Sequence, residues 1–270
     1  MAIITVSRQF FSLGDEIAKK VADDLGYDLI DKKKIGEALA VLGLPAGDLE
    51  RFDEKKPSIW DSLAIQKNRF LYLMKAVIFE LAGRNRTLIL GRGAQFLLKD
   101  LPGIMRVRIV APFDVRLGRL MAYEDYDEKT ADRMLRQHDR DSSGYIRSFY
   151  SADWNDPDGY DLLINTRTIA IGTATKMIYD AIQATEFRSD PNERAERLAA
   201  LSLQYKAEAV IMELQRGSRI YVAVTDVTHG VVTLRGSTDS EAVREECASA
   251  VAAIKGVSEI VNDIAVVKAV

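Results

Sequence analysis

With 270 residues, 47% of them hydrophobic and 29% charged, and a formal net charge of −3, the chain is long enough for two domains. The composition excludes a disordered or fibrous protein, and the near-neutral balance argues against general nucleic-acid binding through a uniformly basic surface, a local basic groove aside. Cys247 is the sole cysteine, so no internal disulfide forms, and no Cys/His cluster has zinc spacing. Its small and apolar neighbours read it as a buried, inert thiol. No apolar run approaches the roughly 20 residues of a transmembrane helix. MAIITVSRQF lacks the basic start and long apolar core of a signal peptide, which makes a cytoplasmic protein the default expectation.

In chain order, Ile3–Ser7 reads as a buried strand and Gly14–Leu25 as a helix, followed by a short apolar run, Tyr27–Ile30, that ends at Asp31. Ile65–Leu81 carries Phe70, Leu73, Met74, Val77, Ile78 and Leu81 at helical spacing. Thr87–Leu90, stopped by Gly91, and Met105–Val110, stopped by Ala111-Pro112, read as strands. Helices are expected over Asp114–Met121 and Glu128–Arg140, a strand over Leu162–Asn165 and a helix over Ile169–Ala184. Such alternation predicts an α/β fold, a parallel sheet with helices on both faces. Ligands then bind beyond the carboxyl ends of the strands, where Ser7, Asp31, Gly91 and Pro112 fall. The polar TEFRSDPNER reads as a linker. After it come a helix over Ala195–Leu214, a hairpin of Ile220–Val227 and Val231–Leu234 turned by His229-Gly230, a helix over Asp239–Ile254 and a strand over Glu259–Val267. This small α+β unit lies near the lower size limit for independent folding.

SRQFFSLGDEIAKKVADDLG, directly after the first strand, has the position of a phosphate-binding loop. A Walker-type loop needs glycines for close backbone approach, a lysine for the β/γ-phosphates and a hydroxyl for magnesium. Here Gly14 stands in the lysine's place and Asp15 in that of the hydroxyl residue, while Phe11 and Leu13 replace glycines. By that strict motif the loop fails. It nevertheless resembles the opening SRxxGSGGxEIAxxLAxxLG of bacterial cytidylate-kinase-like proteins, a family within the P-loop nucleoside monophosphate kinases. Ser7, Arg8, Ser12, Gly14, Glu16, Ile17, Ala18, Leu25, Gly26, Tyr27 and Asp31 match. The family already lacks the Walker lysine, and Arg8 is a substitute charge. Asp15 either sets a negative charge where a phosphate should lie or caps the following helix.

Two further stretches carry the resemblance, which extends roughly from Ala2 to Ala184. GRGAQFLL (Gly91–Leu98) is similar to the family's GRGA motif, which implies that Arg92 contacts the acceptor phosphate; a surface arginine at a strand end is the plainer alternative. DRDSSGYIRSFYSADWNDPDGYDLLINT is similar to the family's block D-x-x-R-x-x-Y…D-W-x-D-P-x-x-Y-D-L-x-I-N-T. Within this lid region Arg133, Arg136, Arg140 and Arg147 are spaced by three, four and seven, on one face if the helix continues. A basic stripe on a cleft would stabilise the charge of a transferring phosphoryl group, and a solvated helix laced with Asp–Arg pairs would look the same. Asp31, at a strand end, is placed either to bond a substrate amino group or to cap the helix starting at Lys32.

The stretch from about Gln204 onward resembles a BON domain, with Gly236, Gly256, Val257, Val261 and Asn262 on its VxLxG and GVxxVxN signatures. Gly256 is expected to end the preceding helix. Without a polybasic cluster there is little for anionic lipid, so the module reads as a sensing or interaction unit for an unknown ligand or protein. The resemblances together imply a cytidylate-kinase-like domain over 1–186, a linker and helical lead-in over 187–202, and a BON-like domain over 203–270. They imply an ATP donor with Mg2+ and a CMP-like acceptor. The expected roles are Ser7, Arg8, Ser12 and Gly14 at the donor phosphates, Asp31, Arg92 and Asp139 at the acceptor, and Arg133, Arg136, Arg140 and Arg147 at the transition-state charge. A different class, a catalytically silent nucleotide-binding or scaffold protein with a degenerate loop, is favoured by FFSLGD, whereas the arginine stripe and the D-W-x-D-P block favour the kinase. The charge balance disfavours a third, a general nucleic-acid binder.

Overall fold

Each strand-like run of the first two-thirds of the chain forms a strand and is followed by a helix. The computed structural model describes residues 2–44, 64–84, 86–215 and 220–267. The order is β1 (Ile3–Arg8), α1 (Gly14–Leu25), β2 (Asp28–Ile30), α2 (Lys32–Val41), α3 (Ala64–Ala82), β3 (Thr87–Leu90), α4 (Ala94–Leu97), β4 (Ile104–Val110), α5 (Phe113–Glu124), α6 (Glu128–Tyr150), β5 (Leu162–Asn165) and α7 (Ile171–Ile182). There follow α8 (Pro191–Leu214), β6 (Tyr221–Thr228), β7 (Val231–Thr238), α9 (Glu241–Ala252) and β8 (Glu259–Val266). The chain divides into two compact units, Met1–Ser62 with Arg84–Pro191, and Leu63–Gly83 with Asn192–Val270.

The first unit is built on a parallel sheet in the order β2-β3-β1-β4-β5, with helices on both faces, as the sequence leads one to expect. Central β1 pairs Ile4 with Leu88 on one side and Met105 on the other. Ile3, Ile4 and Val6 are fully buried, apolar in both pleat directions because neither face of such a strand meets water. Ile17, Ala18 and Val21 of α1 and Ala174, Ile178 and Ile182 of α7, spaced by three and four, close one core with Ile4, Val6, Leu88 and Val107. The order β3-β1-β4 sets the carboxyl ends of three strands side by side. The loop after β1, the glycine turn after β3 and Ala111-Pro112 after β4 therefore meet at one edge.

Helix α6 runs to Tyr150, ten residues beyond the expected Arg140. Ser142, Ser143 and Gly144 are poor helix formers, and the apolar face carries the helix through them, since Tyr145, Ile146 and Phe149 are buried. In the stretch read as a linker, Thr185–Phe187 forms one 3-10 turn and Pro191 opens α8 at the helical position where a missing N–H costs nothing.

In the second unit β6 and β7 form an antiparallel hairpin and β8 adds parallel to β7. His229 and Gly230 both take positive φ, 51° and 84°, as a two-residue hairpin turn requires. Val222, Val224, Val232, Leu234 and Ile264 pack with Cys247 and Val251 of α9 and Ala207 and Ile211 of α8, so Cys247 is the buried thiol expected. The helix ends at Ala252, with Ala253 as its cap, and Gly256 lies beyond it. Helix α3, read from the sequence among the segments of the first domain, belongs to this unit. Phe79 stacks on Tyr205 at 5.7 Å, Lys206 pairs with Glu80 at 2.5 Å and Arg69 with Glu213 at 2.7 Å.

Candidate active site

Phe11 and Leu13 hold the backbone that their missing glycines would have held: φ is 58° at Phe11 and 65° at Leu13. The left-handed region costs an ordinary residue about 1–2 kcal/mol, and packing offsets it. Phe10 and Phe11 join Phe113, Leu117 and Met121 of α5 around buried Leu120, Ala131 and Leu135. Phe10 stacks on His138 at 3.9 Å and meets Phe11 edge-on at 4.7 Å. Leu13 packs on the main core. The bulky side chains thus point into the protein.

The loop carbonyls are turned inward too. Phe10 O accepts from Arg116 at 3.3 Å, Phe11 O from Arg119 at 3.3 Å and Ser12 O from Thr166 Oγ1 at 2.8 Å. Gln9 is tied to β4 by its amide, 3.0 Å from Ile109 O, and by Oε1, which accepts from Ala111 N at 3.1 Å. At the start of α1, Leu13 is the N-cap and no side chain caps the helix. Asp15 therefore does not cap: it lies in the first turn, where its Oδ1 accepts from Arg8 Nε and Nη2 at 3.2 and 3.0 Å. Ser12, expected at the donor phosphates, faces the protein. Its amide and hydroxyl both donate to Gln9 O, at 3.2 and 2.7 Å, and the hydroxyl lies 3.2 Å from Ile109 O. Gly14 leaves no room for a side chain, since a Cβ there would stand 2.3 Å from that of Arg8.

The second wall of the site is the turn after β3. Gly91, Arg92 and Gly93 all have positive φ, and a Cβ on Gly93 would lie 2.1 Å from the Tyr150 ring. Arg92 is buried, its guanidinium 6.0 Å from the Tyr145 ring centre, and its carbonyl accepts from the Tyr150 hydroxyl at 2.5 Å. A narrow cleft between the two loops is lined by Ser7, Arg8, Arg92, Gln95, Ser142 and Trp154. Three of the site residues expected from the sequence, Ser7, Arg8 and Arg92, thus come together.

Ser12 and Gly14 belong to the loop itself, and the remaining expected residues lie elsewhere. Asp31 caps α2, accepting from Lys34 N at 3.0 Å. Asp139 binds buried Arg116 with both oxygens, at 3.1 and 2.8 Å. Arg133, Arg136, Arg140 and Arg147 do share a face of the continued helix, and all four are exposed, opposite the buried Ala131, Leu135, Tyr145 and Phe149. Arg136 is paired with Asp132 at 2.9 Å and Arg140 bonds Gln137 at 2.7 Å.

Sequence reasoning passed over Arg108, in mid-strand on β4 and 1% exposed. Its Nη1 donates to Ser7 Oγ at 2.8 Å and its guanidinium stacks on Trp154 at 3.7 Å, while Trp154 Nε1 donates to the same Ser7 Oγ at 2.9 Å. Burial lowers its pKa to about 10, so it is charged at neutral pH. The signal was the D-W-x-D-P block, whose residues frame the site: Trp154 on Ser7, Tyr150 on Arg92, Thr166 on Ser12. A metal finds no Walker-like ligand in the loop, because the Ser12 hydroxyl is turned inward and Asp15 is held by Arg8. Among the described residues no group of three or more His, Cys, Asp or Glu is placed to hold a metal, and no helix is long and apolar enough to cross a membrane.

Comparison with known proteins matches this architecture. The family model of the cytidylate kinase-like family fits residues 3–168. A cytidylate kinase of Methanothermobacter thermautotrophicus is 36% identical over 88 residues, 32% of this chain and 52% of that protein, so the chain spans about half the length of that relative. A cytidylate kinase of Pyrobaculum islandicum is 23% identical over 186 residues, 67% of this chain and 93% of that protein. Among solved structures, an uncharacterized protein from Eubacterium ventriosum superposes with a TM-score of 0.51 at 26% identity, over 68% of this chain and 99% of its own. The family match spans the loop, the glycine turn and the D-W-x-D-P block together: the chain belongs to the cytidylate kinase-like family.

Proposed function

We propose that the chain is a nucleoside monophosphate kinase that transfers the γ-phosphoryl group of ATP to a CMP-like acceptor. The observation that carries this reading is the loop of residues 9–13 within a member of this family. It keeps left-handed turns at Phe11 and Leu13, turns its carbonyls inward and leaves the first amides of α1 uncapped by any side chain. Such an end attracts phosphate. Donor phosphates lie on these amides beside Arg8, with Gly14 allowing the approach and Ser12 bracing the loop. The acceptor phosphate lies at Arg92, with Ser7 between the two. Asp31 and Asp139 hold the frame through their cap and ion pair. Phosphoryl transfer depends mostly on positioning and charge, and Arg133, Arg136, Arg140 and Arg147 supply charge if the nucleotide meets the exposed face of α6. Magnesium rides on the nucleotide's own phosphates and waters, as it commonly does. The second unit is a BON-like module that senses a small ligand or a protein, and the whole works in the cytoplasm.

Calorimetry with ATP-Mg, ADP and CMP tests the reading. Heat is expected with CMP and with ATP-Mg, and no heat with any of them at millimolar ligand overturns it. A second reading, a nucleotide binder that does not turn over, is favoured by the Arg8–Asp15 pair, which places a carboxylate on the residue meant for phosphate. A coupled assay for ADP release separates the two: binding without ADP formation selects the silent protein.

A further inference from the structure

Ser7 Oγ accepts two hydrogen bonds, from Arg108 Nη1 at 2.8 Å and from Trp154 Nε1 at 2.9 Å. A serine hydroxyl has two acceptor sites and one proton to donate. With both acceptor sites filled, the oxygen can serve no metal, and its proton is directed to the remaining tetrahedral position. Ser7 is 3% exposed and lines the cleft shared with Arg8, Arg92 and Gln95, and among the described residues the hydroxyl donates to no protein acceptor. A neighbour points the same way. Arg108 is 1% exposed and makes no ion pair with a carboxylate among the described residues; its hydrogen bonds go to Ser7 and, at 3.4 Å, to Asn155 Oδ1. A buried cation with no carboxylate paired to it is costly, and a buried hydroxyl proton left without an acceptor is costly as well. An anion with several acceptor oxygens in the cleft answers both: it takes the Ser7 proton and supplies negative charge near Arg108.

Resting on the kinase reading above, we infer that Ser7 is a hydrogen-bond donor to an oxygen of the acceptor's monophosphate, and that Arg108 and Trp154 are positioning residues that aim its proton without touching the ligand. Arg108 also sets a positive potential beneath the cleft, and the Trp154 ring, stacked on the guanidinium at 3.7 Å, keeps that charge from water.

The test compares CMP with cytidine, which lacks the phosphate, in calorimetry on the full chain, with inorganic phosphate as a competitor against CMP. Ser7→Ala is expected to weaken CMP by about 10–100-fold, the range for a hydrogen bond to a charged group, and to raise the inhibition constant of inorganic phosphate in step, with cytidine unchanged. Ser7→Thr, which keeps the hydroxyl, restores CMP to within a few-fold of the parent. Trp154→Phe keeps the ring over Arg108 but removes the N–H, so the proton is no longer aimed; CMP weakens by roughly 3–10-fold with cytidine again unchanged. Equal losses for CMP and cytidine, or Ser7→Ala binding CMP and phosphate like the parent, overturn the inference and leave nucleotide binding standing. A parent protein that binds neither CMP nor ATP overturns the kinase reading and this inference with it.

Discussion

Asp15 is where the loop departs furthest from the chemistry of a phosphate site. Its carboxylate holds Arg8 through two nitrogens and sits in the first turn of α1, so it is an internal counter-ion in the place of an incoming one. The pair is partly exposed, 26% at Arg8 and 57% at Asp15, which limits its contribution to stability to under about 1 kcal/mol. A carboxylate near the N-terminus of a helix is itself stabilising. Removing it should therefore move two readouts in opposite directions. Asp15→Asn is expected to tighten ATP by roughly 5–10-fold, since it frees Arg8 and removes a like charge from the phosphate position. The same change should lower the Tm by about 1–3 °C. Calorimetry and a thermal melt on one preparation decide it, and unchanged affinity would mean that the pair does not compete with phosphate. Glycine at positions 11 and 13 is not a simple repair, because relief of the two left-handed turns comes with loss of side chains that tie the loop to α5 and the core.

At the level of elements, the buried Arg116 joins α5, α6 and the loop. It takes both oxygens of Asp139 and donates to Ala111 O at 3.1 Å and Phe10 O at 3.3 Å. Asp139→Asn leaves a guanidinium that is 3% exposed without its counter-ion, and breaking a buried pair in this way costs on the order of 3 kcal/mol. Arg133→Ala on the exposed face of the same helix should stay within about 0.5 kcal/mol. Denaturant unfolding compares them directly, and similar midpoints for both variants would contradict the contrast. This helix also shows what a sequence discloses. Offsets of three, four and seven put four arginines on one face by arithmetic alone, and Ala131 and Leu135 mark the other as apolar. Which of the two faces lines a cleft depends on Phe10, Phe11 and Phe113 packing there, and local periodicity carries no such information. Strands were legible from their β-branched runs, whereas the order β2-β3-β1-β4-β5 follows from which crossovers pass over which neighbours. Arg108 was missed for a related reason. A cation inside a central strand is explained by Trp154 and Ser7, each far away in the chain, so only the distant D-W-x-D-P block hints at it and nothing adjacent does.

For the molecule as a whole, the partition of the chain matters more than its length. The change in composition near Thr185 invites a cut there, after the last helix of the first unit, to isolate the kinase-like part. Yet α3 belongs to the second unit, where Phe79 and Lys75 meet the Tyr205 ring at 5.7 and 4.8 Å and Glu80 and Arg69 pair with Lys206 and Glu213. All of these partners lie on α8, beyond the cut. A chain ending at residue 186 would therefore leave Arg69, Lys75, Phe79 and Glu80 without the α8 side chains they meet in their own unit. Burying an aromatic side chain is worth about 1.5–3 kcal/mol, and apolar surface uncovered in this way drives association. Expressed as residues 1–186, the protein should elute from size exclusion as oligomers or aggregate, whereas a chain carried through α8, to residue 214, should recover part of its monomer. A monodisperse, cooperatively melting 1–186 would show instead that α3 needs nothing from α8, and that the unit boundary is weaker than its contacts imply.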